Sequence, residues 1–342
     1  MATLEPRVSS GNGGPRAGDV AFVLVPRFSM IAFTSAIEPL RVANLVSGKS
    51  LYRWRTVAVG GEVVRASNDV PVVPDESLDG ERGPPSAVVV CAGLGVETWR
   101  DASLEAWLRR MARRGVPVGG ICTGSLVLAQ ARLLDGYRCT IHWQNMESFA
   151  ERFPDHDITA TLFEVDRDRF TCSGGTAPID LMLHLIAAEH GRDLAVAVAD
   201  QMVHSIRPQA DPQRLSLRYR TGIRNAKLLA AIAHMEAHLE LQASADDIAE
   251  AVGLSTRQLE RLFRNHLRKA PSRYYLELRL RRARLLLTQT SMPILQVAVA
   301  CGFTSASHFA RCYRSVFGHA PRLERPVAAP GTARHYAGAP AG

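Results

Sequence analysis

The sequence lacks the long apolar run that a membrane-spanning helix requires. Its 342 residues are 46% hydrophobic and 22% charged, which is typical of a folded domain protein. No stretch approaches the roughly 18–20 consecutive apolar residues of a transmembrane helix. The N-terminus also has no basic segment followed by an apolar core, so no secretory signal is expected. We therefore expect a cytoplasmic protein that does not enter the membrane.

Cysteine is present, but in no recognisable pattern. The six cysteines are Cys91, Cys122, Cys139, Cys172, Cys301 and Cys312. They form no CxxC pair and no spacing typical of metal ligands. We expect reduced, mostly buried thiols, and we expect neither a metal nor another cofactor.

Both ends of the chain are poor in the apolar residues that a core needs. Segments 1–18 and 326–342 are rich in glycine, proline or alanine, and we predict disordered tails there. The remaining length suffices for two domains. We place them at 19–205 and 223–325, joined by a linker at 206–222.

Positive charge is concentrated in the C-terminal part. Residues 213–325 carry 19 Lys and Arg against 8 Asp and Glu, a net charge of +11, whereas residues 1–212 have a net charge of −4. This asymmetry indicates a polyanionic partner for the C-terminal part. Charge alone favours nucleic acid only slightly, because any solvated helical face can be basic.

An internal repeat gives stronger evidence. Two segments of the chain match each other: DDIAEAVGLSTRQLERLFRNHLRKAP (246–271) and LQVAVACGFTSASHFARCYRSVFGHAP (295–321). Matching positions are 49 residues apart up to the glycine and 50 residues apart after it. Each copy has a short helix, a glycine that supplies a positive φ, a serine N-cap and an amphipathic second helix. The pattern predicts helix-turn-helix units at 244–267 and 293–317, with one extra residue in the second turn.

A helix-turn-helix places the N-terminal part of its second helix in the major groove of double-stranded DNA. Outward Arg, Ser and His side chains there suit contacts with base edges and phosphates. The alternative is a plain helical bundle whose second helices happen to be basic. The candidate DNA-binding residues are Thr256, Arg257, Glu260, Arg261, Arg264, Ser307, His308, Arg311 and Arg314.

The segment between the two copies, 271–290, reads as one amphipathic helix. It carries Arg279, Arg281, Arg282 and Arg284. A helix of this length spans about 30 Å, close to the ~34 Å of one DNA turn. One monomer could therefore place its two second helices in successive major grooves.

The segments PSRYYLELRLRRARLLL, CGF and SHFARCYRSVFG resemble the AraC/XylS family of transcription regulators. The resemblance implies an all-α C-terminal domain with two helix-turn-helix motifs. The positions that it implies for base contacts are Arg257, Glu260, Arg261, Ser307 and Arg311.

The N-terminal part alternates apolar strands with helices. Strands are predicted at 19–26, 54–61, 70–75, 86–93 and 116–122. Near-continuous apolar strands separated by helices imply a parallel sheet with helices on both faces, which is an α/β fold.

The segment GGICTGSLVLAQ (119–130) has the pattern of a nucleophile elbow, with Cys122 at the turn between strand and helix. The N-terminus of that helix should lower the pKa of the thiol and offer N–H groups to an anion. Cys122 is a working nucleophile, a vestigial elbow that lines an effector pocket, or a packed thiol. We favour the effector pocket and assign no catalytic residue.

Together with Glu38 and His142, Cys122 resembles the acidic residue, cysteine and histidine constellation of the ThiJ/PfpI, class I amidotransferase-like superfamily. Enzymes of that superfamily commonly have His directly after the cysteine, where this chain has Thr123. The departure argues against hydrolytic activity. His142 has the alternative role of a satisfied buried histidine, and Trp143 that of a core aromatic. The candidate effector-binding residues are Glu38, Cys122, Thr123, His142 and Trp143.

An amidotransferase-like domain followed by an AraC-type domain is the arrangement of GlxA-type regulators. AIEPLRVAN, LYRW and RFTCSGGTAPIDLMLHLI resemble the members that respond to glycine betaine, carnitine or arginine. The resemblance implies a homodimeric activator that contacts RNA polymerase and binds a small zwitterionic effector, such as a betaine or an amino acid. The elbow N–H groups would hold its carboxylate, and the ring of Trp143 would meet its cation.

Two other classes of function are weighed against this one. The rival is a ThiJ/PfpI-type cysteine enzyme, a glyoxalase, amidase or peptidase, with an appended DNA-binding domain. A chromosome-binding architectural protein is the third class, and a large pocket-bearing domain argues against it.

Overall fold

The computed structural model describes residues 18–80, 82–214 and 216–325. The chain divides between Ser216 and Leu217 into two compact units, which we call unit 1 and unit 2. The tails predicted at 1–18 and 326–342 lie outside the described residues, apart from Gly18, which begins the first strand.

Unit 1 is built on a mostly parallel sheet. Its strands are β1 (Gly18–Leu24), β2 (Tyr52–Ala58), β3 (Val64–Arg65), β4 (Pro71–Val72), β5 (Glu76–Ser77), β6 (Ala87–Cys91), β7 (Val118–Ile121), β8 (Arg138–Cys139), β9 (Asp157–Ile158), β10 (Phe163–Asp166) and β11 (Arg169–Cys172). Seven of them form one sheet in the order β10-β11-β7-β6-β1-β2-β5. Neighbours in it are parallel, except that β10 runs antiparallel to β11.

The strand predicted at 70–75 is much shorter in the structure. Only β4 forms there, paired antiparallel with β3 outside the main sheet. Pro71 and Pro74 interrupt this segment, and a proline has no N–H to donate to a neighbouring strand.

Six helices cover the two faces of the sheet. They are α1 (Met30–Ser47), α2 (Ala102–Arg113), α3 (Gly124–Gln130), α4 (Met146–Arg152), α5 (Ala177–His190) and α6 (Arg192–Gln201). Alternate residues of β1 point to opposite faces: Phe22 and Leu24 pack with α1, α5 and α6, whereas Ala21 and Val23 pack with α2, α3 and α4. The predicted α/β fold with both faces covered is confirmed.

Unit 2 is entirely helical in its described residues. Its helices are α7 (Leu217–Thr221), α8 (Ala226–Ala237), α9 (Ala245–Ala251), α10 (Thr256–Leu267), α11 (Pro271–Gln289), α12 (Ile294–Ala300) and α13 (Ala306–Phe317). Helix α11 contributes to two cores: Tyr275 packs with Leu259 and Phe263, and Leu287 packs with Phe309. One helix thus supports both helix-turn-helix units, and the predicted all-α class is confirmed.

No helix in the described ranges combines the length and the hydropathy needed to cross a bilayer. All six cysteines lie within these ranges as free thiols, five of them buried and Cys312 partly exposed.

Candidate DNA interface and effector site

The two helix-turn-helix units have the same local construction. The hydroxyls of Ser255 and Ser305 cap α10 and α13, each accepting from a backbone N–H three residues later at 3.3 Å. The preceding turns contain Gly253 at φ +64° and Gly302 at φ +71°, a left-handed conformation that favours glycine. The first helices begin at an offset of 49 and the second helices at an offset of 50. The extra residue predicted in the second turn is therefore confirmed.

Helices α10 and α13 each bury one side and expose the other. Leu259 and Phe263 of α10, and Phe309 and Tyr313 of α13, are fully buried. The exposed candidates are Arg257, Glu260, Arg261, Arg264, Ser307, His308, Arg311 and Arg314. Their arrangement leaves a basic surface on each second helix, as a DNA-reading helix requires.

Thr256 and Arg279 contact other parts of unit 2. Thr256 is half-buried, and its hydroxyl donates to the carboxylate of Asp246. Arg279 donates from Nε to the carbonyl of Cys301 at 2.6 Å and from Nη2 to that of Gly302, with its guanidinium 4.3 Å from the Phe303 ring. Arg279 thus braces the second turn from α11.

In unit 1, the predicted elbow is present between β7 and α3. Cys122 has φ +59°, a conformation that costs energy for a residue with a side chain. The glycines of GGICTG allow the backbone of the elbow to pack closely against itself and against β6. A Cβ at Gly120 would lie 2.7 Å from the backbone of Gly124, and a Cβ at Gly124 would lie 2.3 Å from the carbonyl of Val90.

The predicted lowering of the Cys122 thiol pKa is wrong. Burial is the largest cause of a pKa raised to about 11: the hydrogen bond from the Thr123 N–H offsets burial only in part, and the nearby charge of Glu97 adds to it. Desolvation disfavours the thiolate more than the Thr123 N–H, at the start of the seven-residue helix α3, favours it. The thiol therefore stays protonated near neutral pH and is a weak nucleophile.

A tight turn at 142–145 lies against the elbow. The backbone N–H of His142 donates to the carbonyl of Cys122 at 3.2 Å. Nδ1 of His142 accepts from the N–H of Gln144 at 3.3 Å, and burial lowers the pKa of the imidazole. The ring is therefore neutral at physiological pH, with its proton on Nε2.

The carboxylate beside the elbow is that of Glu97, which the sequence analysis missed. Asn145 Nδ2 donates to Glu97 Oε1 at 2.7 Å, so the 142–145 turn holds this carboxylate. Glu38 instead pairs with Arg41 at 2.7 Å, with its side chain 44% exposed. Glu97 follows β6 at the carboxyl edge of the parallel sheet, where α/β folds bind ligands. Its position just after a predicted parallel strand could have identified Glu97 from the sequence.

The other two candidates have different surroundings. Thr123 is buried and donates its hydroxyl to the carbonyl of Gly93 at 2.7 Å, so it fixes the elbow to the loop after β6. Trp143 is 36% exposed, which sets aside the core-packing alternative. The guanidinium of Arg214 lies 4.4 Å from the centre of the Trp143 ring. A cation of the protein itself thus lies over the ring that we predicted to meet the cation of the effector.

Comparison with known proteins covers both units. Residues 19–188 match the DJ-1/PfpI family, and residues 248–325 match a family described as a helix-turn-helix domain. The HTH-type transcriptional regulator CdhR of Pseudomonas aeruginosa is 47% identical over 95% of this chain and 96% of its own length. GbdR of the same species, also an HTH-type transcriptional regulator, is 45% identical over 95% of this chain and 88% of its own length.

A third relative is the HTH-type transcriptional regulator GlxA of Rhizobium meliloti, 38% identical over 88% of this chain and 94% of its own. These relatives match across both units rather than the DNA-binding part alone. The chain therefore belongs to the GlxA-type family of HTH-type transcriptional regulators, in which a DJ-1/PfpI domain precedes an AraC-type helix-turn-helix domain.

Proposed function

We propose that this transcription regulator is controlled by a small zwitterionic effector that binds beside Cys122 in unit 1. The observation that supports the proposal is an elbow that keeps its strained turn, with φ +59° at Cys122, but holds a thiol whose pKa is raised to about 11. Such a thiol is poorly suited to attack a ligand, while the elbow lies at the sheet edge where α/β folds bind ligands. We accordingly propose no catalytic role for Cys122.

The side chains around the elbow favour a ligand with a cationic end. Glu97 offers a carboxylate oriented by Asn145. Trp143 offers a partly exposed aromatic ring, and aromatic faces attract quaternary ammonium and guanidinium groups. Betaines, carnitine and arginine combine such a cation with a carboxylate, which matches the effector class expected from the sequence.

On DNA, we propose that α10 and α13 of one monomer enter successive major grooves. Helix α11 joins the two helix-turn-helix units and has 19 residues, which corresponds to about 28 Å at 1.5 Å per residue. A homodimer would present four such reading helices to one operator. An activator of this kind would act on RNA polymerase from that site.

The test is calorimetric titration of the full chain with glycine betaine, carnitine and arginine. The control ligand is 3,3-dimethylbutanoate, which has the shape of glycine betaine without its positive charge. Binding of at least one zwitterion, and not of the control ligand, is expected.

A pair of variants tests the position of the site. Glu97→Gln removes the carboxylate beside the elbow and should weaken binding, whereas Glu38→Gln removes a carboxylate paired with Arg41 on α1 and should not. Absence of binding by every zwitterion contradicts the proposal. Turnover of a carbonyl or amide substrate that Cys122→Ser abolishes would establish the enzyme alternative.

A further inference from the structure

The two helix-turn-helix units touch each other at a second place besides α11. The turn at 238–242, between α8 and α9, is anchored to the first unit, because the hydroxyl of Tyr275 in the first core donates to the carbonyl of Leu241 at 2.9 Å. The same turn reaches Gly302 in the turn of the second unit. Gln242 Nε2 donates to the carbonyl of Gly302 at 2.8 Å. Gln242 thus connects the two units directly.

Backbone atoms of the two units also meet at this contact. A Cβ at Gly302 would lie 2.8 Å from the carbonyl oxygen of Glu240, so a side chain there would push the two turns apart. Arg279 of α11 donates to the same Gly302 carbonyl as Gln242 does. We call the contact among Glu240, Gln242, Arg279 and Gly302 the joint. Its close backbone approach and its converging hydrogen bonds favour one relative position of the two units.

The internal repeat shows which of these bonds belong to a helix-turn-helix unit by itself. Val252 of the first copy matches Cys301 of the second at an offset of 49. The carbonyl of Val252 accepts from Lys227 Nζ at 2.6 Å, and the carbonyl of Cys301 accepts from Arg279 Nε at 2.6 Å. In each case a basic side chain of the helix that precedes the unit supports its turn. This support is common to both copies.

The next residue, a glycine, has different surroundings in the two copies. A Cβ at Gly253 would lie 3.2 Å from Lys227 Nζ, the end of a flexible side chain. A Cβ at Gly302 would instead meet the backbone of Glu240, and the Gly302 carbonyl binds Gln242. The joint is therefore an addition to the helix-turn-helix construction, and it connects the second unit to the first.

Such a connection limits how α10 and α13 can move relative to each other. One base pair of DNA advances the helix by about 3.4 Å and turns it by roughly 35°. A shift of α13 by one base pair relative to α10 would move Gly302, in the turn before α13, by more than a hydrogen bond of 2.8 Å can stretch. The joint therefore opposes a change in the spacing of the two reading helices.

We propose that Gln242 is a positioning residue for DNA recognition: the joint sets the separation and the angle of α10 and α13, and the operator must have the matching spacing. The proposal rests on the placement of α10 and α13 in successive major grooves proposed above, and it adds what fixes their separation. Helix α11 carries the two units, and the joint holds them against tilting on that helix.

The test uses the full chain and an operator that it selects from random DNA. A second operator has one base pair inserted between the sequences read by α10 and α13 of each monomer. The unmodified chain should bind the inserted operator about thirtyfold more weakly, because α13 then meets the wrong bases. Gln242→Ala should reduce this ratio of affinities by roughly threefold to tenfold, the range expected for one hydrogen bond.

Two more variants separate the joint from the support of a turn. Arg279→Met keeps a long side chain near Phe303 but loses the bonds to Cys301 and Gly302, and with Gln242→Ala it should reduce the ratio further. Lys227→Met is the matched control, because it removes the equivalent support inside the first unit. It should weaken binding to both operators by the same factor. Thermal unfolding verifies that each variant is folded.

The outcomes separate this proposal from the proposed function. A ratio unchanged in Gln242→Ala overturns the proposal, because a merely structural residue or a direct DNA contact would weaken binding to both operators equally. Equal binding of the two operators by the unmodified chain also overturns it. In both cases the placement in successive grooves stands, provided that base changes in each half of the site alter binding. If base changes in one half have no effect, that placement and this proposal are both refuted.

Discussion

The carbonyl oxygen of Val90 occupies the space where a side chain at Gly124 would begin: a Cβ there would lie 2.3 Å from that oxygen. The contact is between backbone atoms of β6 and the start of α3, so no side-chain rotation can relieve it. It fixes how closely the elbow approaches the centre of the sheet.

Gly124→Ala should therefore destabilise unit 1 by about 1–3 kcal/mol, the usual cost of forcing an extra carbon into a packed site. Urea unfolding followed by circular dichroism measures the change. Gly83→Ala is the control, because a Cβ at Gly83 meets nothing within 4 Å. An equal effect of the two substitutions would contradict this account of the elbow.

Cys122 should react slowly with iodoacetamide in the folded protein. A thiol with a pKa of about 11 is ionised in roughly one molecule in a thousand at pH 8, and the thiolate is the reactive form. Peptide mapping after brief labelling should show Cys312 modified first, since it is the partly exposed cysteine. Rapid stoichiometric labelling of Cys122 would instead indicate an activated nucleophile.

Stability should fall at alkaline pH. The folded-state pKa of Cys122 is raised to about 11 from an ordinary value of 9.0. Its contribution is therefore fully present below pH 9 and is lost as the pH rises through about 11. Urea unfolding at pH 8 and pH 10.5 should show a decrease to which Cys122 alone contributes up to about 2 kcal/mol. Cys122→Ser should show a smaller decrease, because serine does not ionise in this range.

Arg261→Ala and Arg311→Ala should each lower specific DNA affinity by about 1–3 kcal/mol. Both residues are exposed on second helices, one on α10 and one on α13. The two changes should relax sequence preference in different halves of the operator, as measured by binding to a library of altered sites. Arg109→Ala in unit 1 should leave the affinity unchanged. Equal weakening on every sequence would show that these arginines contact phosphates only.

Unit 2 on its own, residues 217–325, should bind DNA with a steep dependence on salt, because its basic residues contact phosphates. Its affinity should be lower than that of the full chain, and it should not respond to effector. Fluorescence anisotropy with a labelled operator measures both properties. A response of isolated unit 2 to effector would show that the effector site lies in unit 2 and not, as proposed, in unit 1.

The sequence by itself determined both fold classes and the architecture of unit 2. Each helix-turn-helix unit is specified by residues close together in the chain: the glycines at 253 and 302, the N-caps at 255 and 305, and the apolar spacing of the second helices. Such short-range patterns can be recognised from the sequence alone, including the single extra residue of the second turn. The elbow was predicted for the same reason, because its strand, cysteine and glycines are consecutive.

The tertiary structure alone decided the chemistry of the elbow and the contacts of residues 207–214 beside it. The pKa of Cys122 depends on burial, and Glu97 and Asn145 meet across 48 positions of sequence. Arg214 reaches Trp143 only because residues 207–214 lie along unit 1. Burial and charge pairing depend on which distant segments pack together. A local pattern of residues does not specify that packing.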